Sequence, residues 1–391
     1  MRTTRAEVDL STIQYNIKQV AARVGHNVRI LGVVKANAYG HGLVAASKTM
    51  LDAGASYLGV AITDEAIQIR QHTNIPILVF SPPVEDSLES YLRFDLDATI
   101  DSLETAYALN SIARMAGKRA RVQIKIDTGM GRIGFFPKDT LEAVKTISNL
   151  DSLSMVGVYS HFATSDESNK EFARHQLSVF KKIIAGVRDL ESIHQNSGQI
   201  FFHIASSGAI LDMPDSYFDM VRPGIMTYGY YPSLETSESL IVKPAMSLKS
   251  SVIQIKNFRA GMSISYGRKY FAKRDTRIAV VPVGYGDGFT RLLSGKASVL
   301  IKGKKYPVAG TITMDHLMVD VGNDVEIQQG DEVVLIGKSG DGSITAWDIA
   351  SSLGTIPYEI LCAINNRVPR VYNNSTSDFQ SEADAPLAQT D

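Results

Sequence analysis

An apolar run of strand length, ILGVV (30–34), ends directly on Lys35 and passes into the glycine-containing stretch ANAYGHG (36–42). A lysine that closes a buried-type strand is chemically conspicuous, because a low-dielectric setting disfavours the ammonium and lowers its pKa. A neutral amine is what a nucleophilic or Schiff-base lysine needs. The same strand-end placement recurs along the chain. VQIKIDTGMGRIG (122–134) supplies Lys125, Asp127 and Arg132, and MVGVYSHFATSD (155–166) supplies His161. IFFHIASSG (200–208) supplies His203, Ser206 and Ser207, and FDMVRPGI (218–225) supplies Arg222 before Pro223, Gly224 and Ile225. Taken singly, each has an ordinary explanation: a lysine emerging into solvent, or a histidine satisfied within the core. Their common position is the stronger signal. Ser207 with Gly208, and Gly224 with Ile225, fall after the last two strands, where a barrel of alternating strands and helices holds phosphate. A phosphate ester next to a strand-end lysine points to pyridoxal phosphate, held by its phosphate and by an imine to Lys35.

The elements that must position these groups are eight β-rich runs: 28–34, 57–62, 75–80, 96–100, 122–126, 155–160, 200–205 and 217–221. Helical spacing lies between most of them, as in 102–117 and 170–190, and 11–25 precedes the first. Alternation of strand and helix implies parallel pairing, since parallel neighbours need a crossover. Eight units in roughly 230 residues suggest a (β/α)8 barrel of the TIM type, with a doubly wound sheet as the competitor. Near 225–240 the pattern changes to strand after strand with glycine-containing turns, which points to an antiparallel sheet or barrel. The expected division is an α/β barrel over 1–235, a β-rich domain over 236–373, and an acidic tail over 374–391 that reads as disordered.

Composition bounds the partners. The 391 residues carry 40 Lys and Arg against 41 Asp and Glu, a net charge of -1, so no chain-wide field favours nucleic acid or an anionic membrane. A small-molecule ligand is expected. The single cysteine, Cys362, rules out an intramolecular disulfide framework or a cysteine-only metal cage, and no metal is expected. MRTTRAEVDL lacks the apolar stretch of a secretory signal, and no run approaches a membrane span, so the expected location is cytoplasmic. Gly129-x-Gly131-x-x-Gly134 superficially matches a dinucleotide fingerprint, but Pro137 delays any helix beyond the glycines.

VDLSTIQYNI (8–17), VVKANAYGHG (33–42), KIDTGMGRIG (125–134), SHFATSD (160–166), VRPGIMTYG (221–229), SYG (265–267), VPVGYGDG (281–288), TMDHLMVDV (313–321) and VPRVY (368–372) occur in that order. With these segments the chain resembles the alanine racemases, barrel-type pyridoxal-phosphate enzymes, over nearly its whole length. The resemblance implies that Lys35 carries the cofactor as an internal aldimine and is one of two catalytic bases. Tyr266 is the second, contributed by the other subunit of a homodimer with shared active sites. Inverting a Cα centre requires removing a proton on one face and returning one on the other, which two opposed bases achieve. The resemblance further implies a line from Arg222 through His161 to Tyr266, with Arg222 also facing the pyridine nitrogen. It assigns Arg132 to the cofactor's phenolic oxygen and the substrate carboxylate, and Lys125 to a position carbamylated in some members. It places Tyr39, Ser207, Gly224, Ile225 and Tyr358 on the phosphate, Tyr285 and Met314 on the substrate carboxylate, and Asp166, Arg291, Asp315 and Ile356 along the substrate corridor. Two positions depart from the family pattern: Thr311 stands where many members carry an arginine, and Thr313 where cysteine or serine is common. The implied activity is interconversion of L- and D-alanine, supplying D-alanine for peptidoglycan. A serine or broader-specificity racemase of the same fold is the nearest alternative. A non-catalytic pyridoxal-phosphate-binding barrel protein and a metal-dependent barrel hydrolase are readings from other classes; the first leaves the domain carrying Tyr266 without a purpose, the second Lys35.

Overall fold

In the computed structural model, which describes residues 3–190 and 200–373, the eight β-rich runs of the first regime all form strands. After an N-terminal strand β1 (Arg5–Asp9) come β2 (Arg29–Val33), β3 (Tyr57–Val60), β4 (Ile77–Val79), β5 (Asp97–Ile100), β6 (Ala120–Lys125), β7 (Leu153–Tyr159), β8 (Phe201–His203) and β9 (Met220–Val221). From β2 to β9 every pairing is parallel, in the spatial order β8-β7-β6-β5-β4-β3-β2-β9. The order never reverses, which excludes the doubly wound alternative, whose strand order turns back at a switch point. A lone parallel bridge, Ser206 to Arg222, lies between the β8 and β9 edges, so the barrel is nearly closed.

These strands read as unbroken apolar runs because helices cover them outside and side chains fill them inside. β3, β4 and β5 are buried at every position. The helix Glu171–Arg188 buries Ala173, Leu177, Phe180, Ile184 and Val187, the three- and four-residue spacing of one helical face. Ser102 caps the helix Leu103–Met115 by accepting from the Thr105 amide, which satisfies one of its orphan donors.

Among the described residues, the β-rich unit comprises 3–12, 39–42 and 244–373, and the barrel unit comprises 13–38, 43–190 and 200–243. The expected tail lies outside the described residues. The remaining strands are β10 (Met246–Ser251), β11 (Gln254–Phe258), β12 (Ser263–Ile264), β13 (Tyr270–Phe271), β14 (Thr276–Val281), β15 (Ser298–Ile301), β16 (Lys304–Pro307), β17 (Leu317–Gly322), β18 (Glu332–Ser339), β19 (Gly342–Ile344) and β20 (Arg370–Asn373). One sheet runs β16-β15-β18-β10-β1-β20, with β19 on β18, and a second runs β11-β14-β17. All these pairings are antiparallel except that of β1 with β20. Among the described residues no helix is long and apolar enough to cross a membrane.

Candidate active site

Lys35 lies two residues past the end of β2, and the backbone beyond it is unusual. Ala36, Asn37, Ala38 and Tyr39 all have φ of 52° or 53°, a full left-handed turn. For L-residues this conformation costs about 1–2 kcal/mol each, so it must be held from outside. Glu65 does much of this: one carboxylate oxygen accepts from the Ala36 amide at 2.6 Å and the other from Ala61, just past β3, at 2.8 Å. Asn37 accepts from the Leu43 amide at 2.7 Å and closes the turn. Glu65 and Asn37 were not singled out in the sequence, since neither breaks a pattern there.

At the end of β6, Lys125 is 2% exposed and donates to the Ile126 carbonyl at 2.8 Å. Burial, reinforced by the charge of Arg222, pushes its ammonium down to about 7. Two residues on, the Asp127 carboxylate accepts from the amides of Gly129, Gly131 and Arg132 at 2.9–3.1 Å. The glycine loop therefore wraps its own aspartate, and Phe135 returns to pair with Lys125 and Asp127. No helix opens until Thr140, so the dinucleotide reading has neither the donors nor the helix it needs. This wrapping leaves the Arg132 side chain exposed.

Arg222 organises the ends of β7 and β8. Its Nη2 donates to the carbonyls of Ser160 at 2.7 Å and Ile204 at 3.1 Å, and to His161 Nδ1 at 3.2 Å. Its Nη1 donates to His203 Nδ1 at 2.6 Å. Burial lowers the guanidinium to about 10, which still leaves it cationic at neutral pH. Both histidines are held well below the ordinary imidazole range, first by burial and then by the Arg222 charge. Guanidinium only donates, so each neutral ring must accept at Nδ1 and carry its proton on Nε2. The Tyr159 ring stacks on His203 at 4.9 Å and 2°, and both Arg222 and Lys125 sit 5.4 Å from its centroid. Arg222 and the two histidines, which a metal hydrolase would have claimed, are thus committed to one another. Among the described residues no group of three or more His, Cys, Asp or Glu side chains is arranged to hold a metal.

Ser207 opens the short helix Ser207–Asp212, and its hydroxyl accepts from the Gly224 amide at 3.0 Å. Gly224 precedes the 3-10 turn Ile225–Tyr228. The structure so joins two helix starts, whose first amides have no intrahelical acceptor. A Cβ on Gly208 would fall 2.8 Å from the Ser165 carbonyl, so only glycine allows this approach. Asp166 follows in the same loop, half-buried.

In the β-rich unit the Tyr39 ring lies 5.8 Å from Tyr358, and the Gly40 carbonyl accepts from Arg370 at 2.9 Å. Tyr266 stands on a tight turn between Ser265 (φ 65°) and Gly267 (φ 72°), with its side chain 68% exposed. Thr311 donates to the Tyr266 carbonyl at 3.0 Å, and Ser265 donates to the Thr311 carbonyl. The departure at Thr311 therefore grips the backbone of the tyrosine. Thr313 forms a closed turn with His316 through reciprocal bonds of 2.9–3.0 Å, which presents Met314 and Asp315 at its tip. Tyr285 pairs with this segment through its amide and the Thr313 carbonyl at 3.1 Å. Tyr285 and Met314 are 41% and 51% exposed. Arg291 and Ile356 are also exposed, and Asp315 is ion-paired with Arg367 at 2.7 Å. Lys35, Lys125, Arg132, His161, Asp166, Ser207, Arg222, Gly224 and Ile225 belong to the barrel unit; Tyr39, Tyr266, Tyr285, Arg291, Met314, Asp315, Ile356 and Tyr358 belong to the β-rich unit.

Residues 8–232 match the family described as alanine racemase, N-terminal domain, and 245–372 match alanine racemase, C-terminal domain. The alanine racemase of Clostridium novyi (strain NT) is 43% identical over 379 residues, covering 95% of this chain and 96% of that protein. The solved alanine racemase of Clostridium difficile 630 superposes with a TM-score of 0.90 at 39% identity, covering 96% of this chain and 97% of that one. The same enzyme in complex with cycloserine gives a TM-score of 0.88 at 37% identity, covering 97% and 98%.

Proposed function

The chain belongs to the alanine racemase family and interconverts L- and D-alanine; from that premise we propose that Lys35 and Tyr266 are its two bases, working on pyridoxal 5'-phosphate in a homodimer with shared sites. The observation that carries this reading is the placement of Lys35 and the Arg222–His161 pair at strand ends of one barrel. The residues present fit the cofactor. Lys35 offers the amine for covalent attachment, and Arg222 the cation beside the ring nitrogen. For the phosphate there are the Ser207 hydroxyl, which the Gly224 amide orients, the Ile225 amide at the start of the turn that follows Gly224, and the hydroxyls of Tyr39 and Tyr358. When bound, pyridoxal phosphate withdraws electrons from the substrate Cα and so acidifies its proton.

The residues do the rest. Lys35 Nζ takes or returns the Cα proton on one face, and the phenolic oxygen of Tyr266, from the partner subunit, does so on the other. His161 accepts from Arg222 at Nδ1 and so presents Nε2–H, a donor suited to stabilising a deprotonated phenol. Positioned proton transfer of this kind contributes about 10²- to 10⁴-fold. Arg132, Tyr285 and Met314 hold the substrate carboxylate, and Asp166, Arg291, Asp315 and Ile356 line the corridor. Lys125, largely deprotonated above pH 7, is poised to add CO2; the resulting carbamate anion would orient Arg132. We assign the enzyme to the cytoplasm, as supplier of D-alanine for peptidoglycan.

Borohydride reduction of the holoenzyme followed by peptide mapping tests the attachment, with the label expected on Lys35. Racemisation of either alanine enantiomer in D2O should place deuterium at Cα. Label elsewhere, or racemisation that survives Lys35→Ala, would overturn the assignment.

A further inference from the structure

Behind the strand ends, the barrel interior holds a second polar system that none of the roles above uses. Gln123 on β6, Asp97 on β5 and Tyr57 on β3 are fully buried. His203 Nε2 lies 2.8 Å from Gln123 Oε1, and Gln123 Nε2 lies 2.8 Å from Asp97 Oδ2. Asp97 is in turn held by Tyr57 and by Arg121, whose Nε lies 2.6 Å from Oδ1. With the 2.6 Å contact from Arg222 to His203, a continuous line crosses the barrel from Arg222 to Arg121.

The direction of that line is fixed from both ends. Guanidinium can only donate and an ionised carboxylate can only accept. His203 must therefore accept at Nδ1 and donate from Nε2, and Gln123 must turn its oxygen to His203 and its amide nitrogen to Asp97. A reversed imidazole would set N–H against N–H at Arg222. The backbone is shaped around the same residue. Pairing of β6 with β7 slips between Val122 and Gln123, leaving Val156 as an unpaired bulge before Gly157. A Cβ on Gly157 would come within 2.8 Å of Gln123 Oε1. Bulges of this kind re-aim side chains next to active sites.

We propose that Gln123 and Asp97 are positioning residues for racemisation, fixing the tautomer of His203 and through it the aim of Arg222 by a one-way hydrogen-bond chain through the barrel. The inference rests on the reading that Arg222 faces the cofactor's ring nitrogen. No member of the chain can lend that nitrogen a proton, which keeps the ring a weak electron sink and disfavours transamination, in which the amino group stays with the cofactor and pyruvate leaves. Gln123→Met removes the middle link at similar size. Gln123→Glu puts a second carboxylate beside Asp97 and favours a protonated His203, whose Nδ1–H would face Arg222.

The test uses holoenzyme. ¹⁵N-histidine NMR of the unsubstituted protein should find His203 neutral with its proton on Nε2 throughout the active pH range; a proton on Nδ1, or titration within that range, overturns the proposal even if the variants fail to fold. In folded, cofactor-bearing Gln123→Met and Gln123→Glu, kcat should fall at least about tenfold, the loss of one buried hydrogen bond, with KM for alanine little changed and more pyruvate released per racemisation. Wild-type kcat and pyruvate ratio in both variants overturn it. Arg222→Gln separates the two levels. If it raises the pyruvate ratio while the Gln123 variants do not, the chain fails and the Arg222 reading stands; if it leaves the ratio unchanged, the reading fails and the chain with it.

Discussion

Arg222 dictates what its neighbours can be. Burial first and the Arg222 charge second keep both imidazoles neutral, its donors set their tautomers, and the same charge adds to the burial that depresses Lys125. The Lys125 amine has a sign that can be measured. Its folded pKa of about 7 lies below the unfolded value of roughly 10.4, so between these pH values the unfolded chain binds more protons and stability rises with pH. The burial penalty is full below about pH 7 and fades towards pH 10. In CO2-free buffer, Lys125→Met should therefore raise the melting temperature most at or below pH 7, with the gain shrinking as pH rises. A difference independent of pH would mean that the ammonium is not buried at a cost. Under CO2, intact-protein mass should show the carbamate on the unsubstituted chain and not on this variant. His161→Phe, which removes the Nε2–H donor, should lower kcat by about tenfold or more with little effect on cofactor binding, read from steady-state kinetics and cofactor absorbance. The lysines, His161 and Arg222 were legible because polar residues at the ends of apolar strands stand out. Gln123 in the middle of β6 and Asp97 at the start of β5 lie away from the carboxyl ends of their strands, where a polar residue reads as noise until its partners on other strands are known.

At the scale of elements, the left-handed turn after Lys35 is the costly piece, and Glu65 is its principal clamp. Glu65→Gln must turn an amide NH2 towards one of two backbone N–H donors, and should cost about 1–3 kcal/mol in urea denaturation. It should also slow covalent attachment of added cofactor, followed by absorbance. Ala36→Gly, by contrast, removes the side-chain penalty at positive φ and should be neutral to stabilising in the same assay, because glycine adopts this conformation freely. Strong destabilisation by Ala36→Gly would contradict the left-handed assignment. The barrel strands were readable from sequence because parallel strands buried on both faces are continuous apolar runs. β1 was not, since RAEVD buries only Ala6 and Val8 and three of its five residues are charged. The turn itself left no signature: Ala-Asn-Ala does not announce positive φ, and only Gly40 and Gly42 beyond it hint that the chain bends sharply.

For the whole molecule, the β-rich unit leaves Tyr266, Tyr285, Leu292, Met314 and Ile356 exposed. Two of these, Tyr285 and Met314, are proposed to hold substrate, and Tyr266 to serve the site of the other subunit. The charge balance and lone cysteine of the sequence bounded the class of ligand but said nothing of assembly; resemblance alone raised the dimer. The central claim, that each site joins Lys35 of one subunit to Tyr266 of the other, is tested most directly by complementation. Lys35→Ala and Tyr266→Phe homodimers, each nearly inactive, are mixed under conditions of confirmed subunit exchange and assayed for alanine racemisation. Hybrid dimers should regain activity, because one of their two sites then contains both unsubstituted bases. Activity that stays at the level of the separate variants after exchange would contradict the shared site.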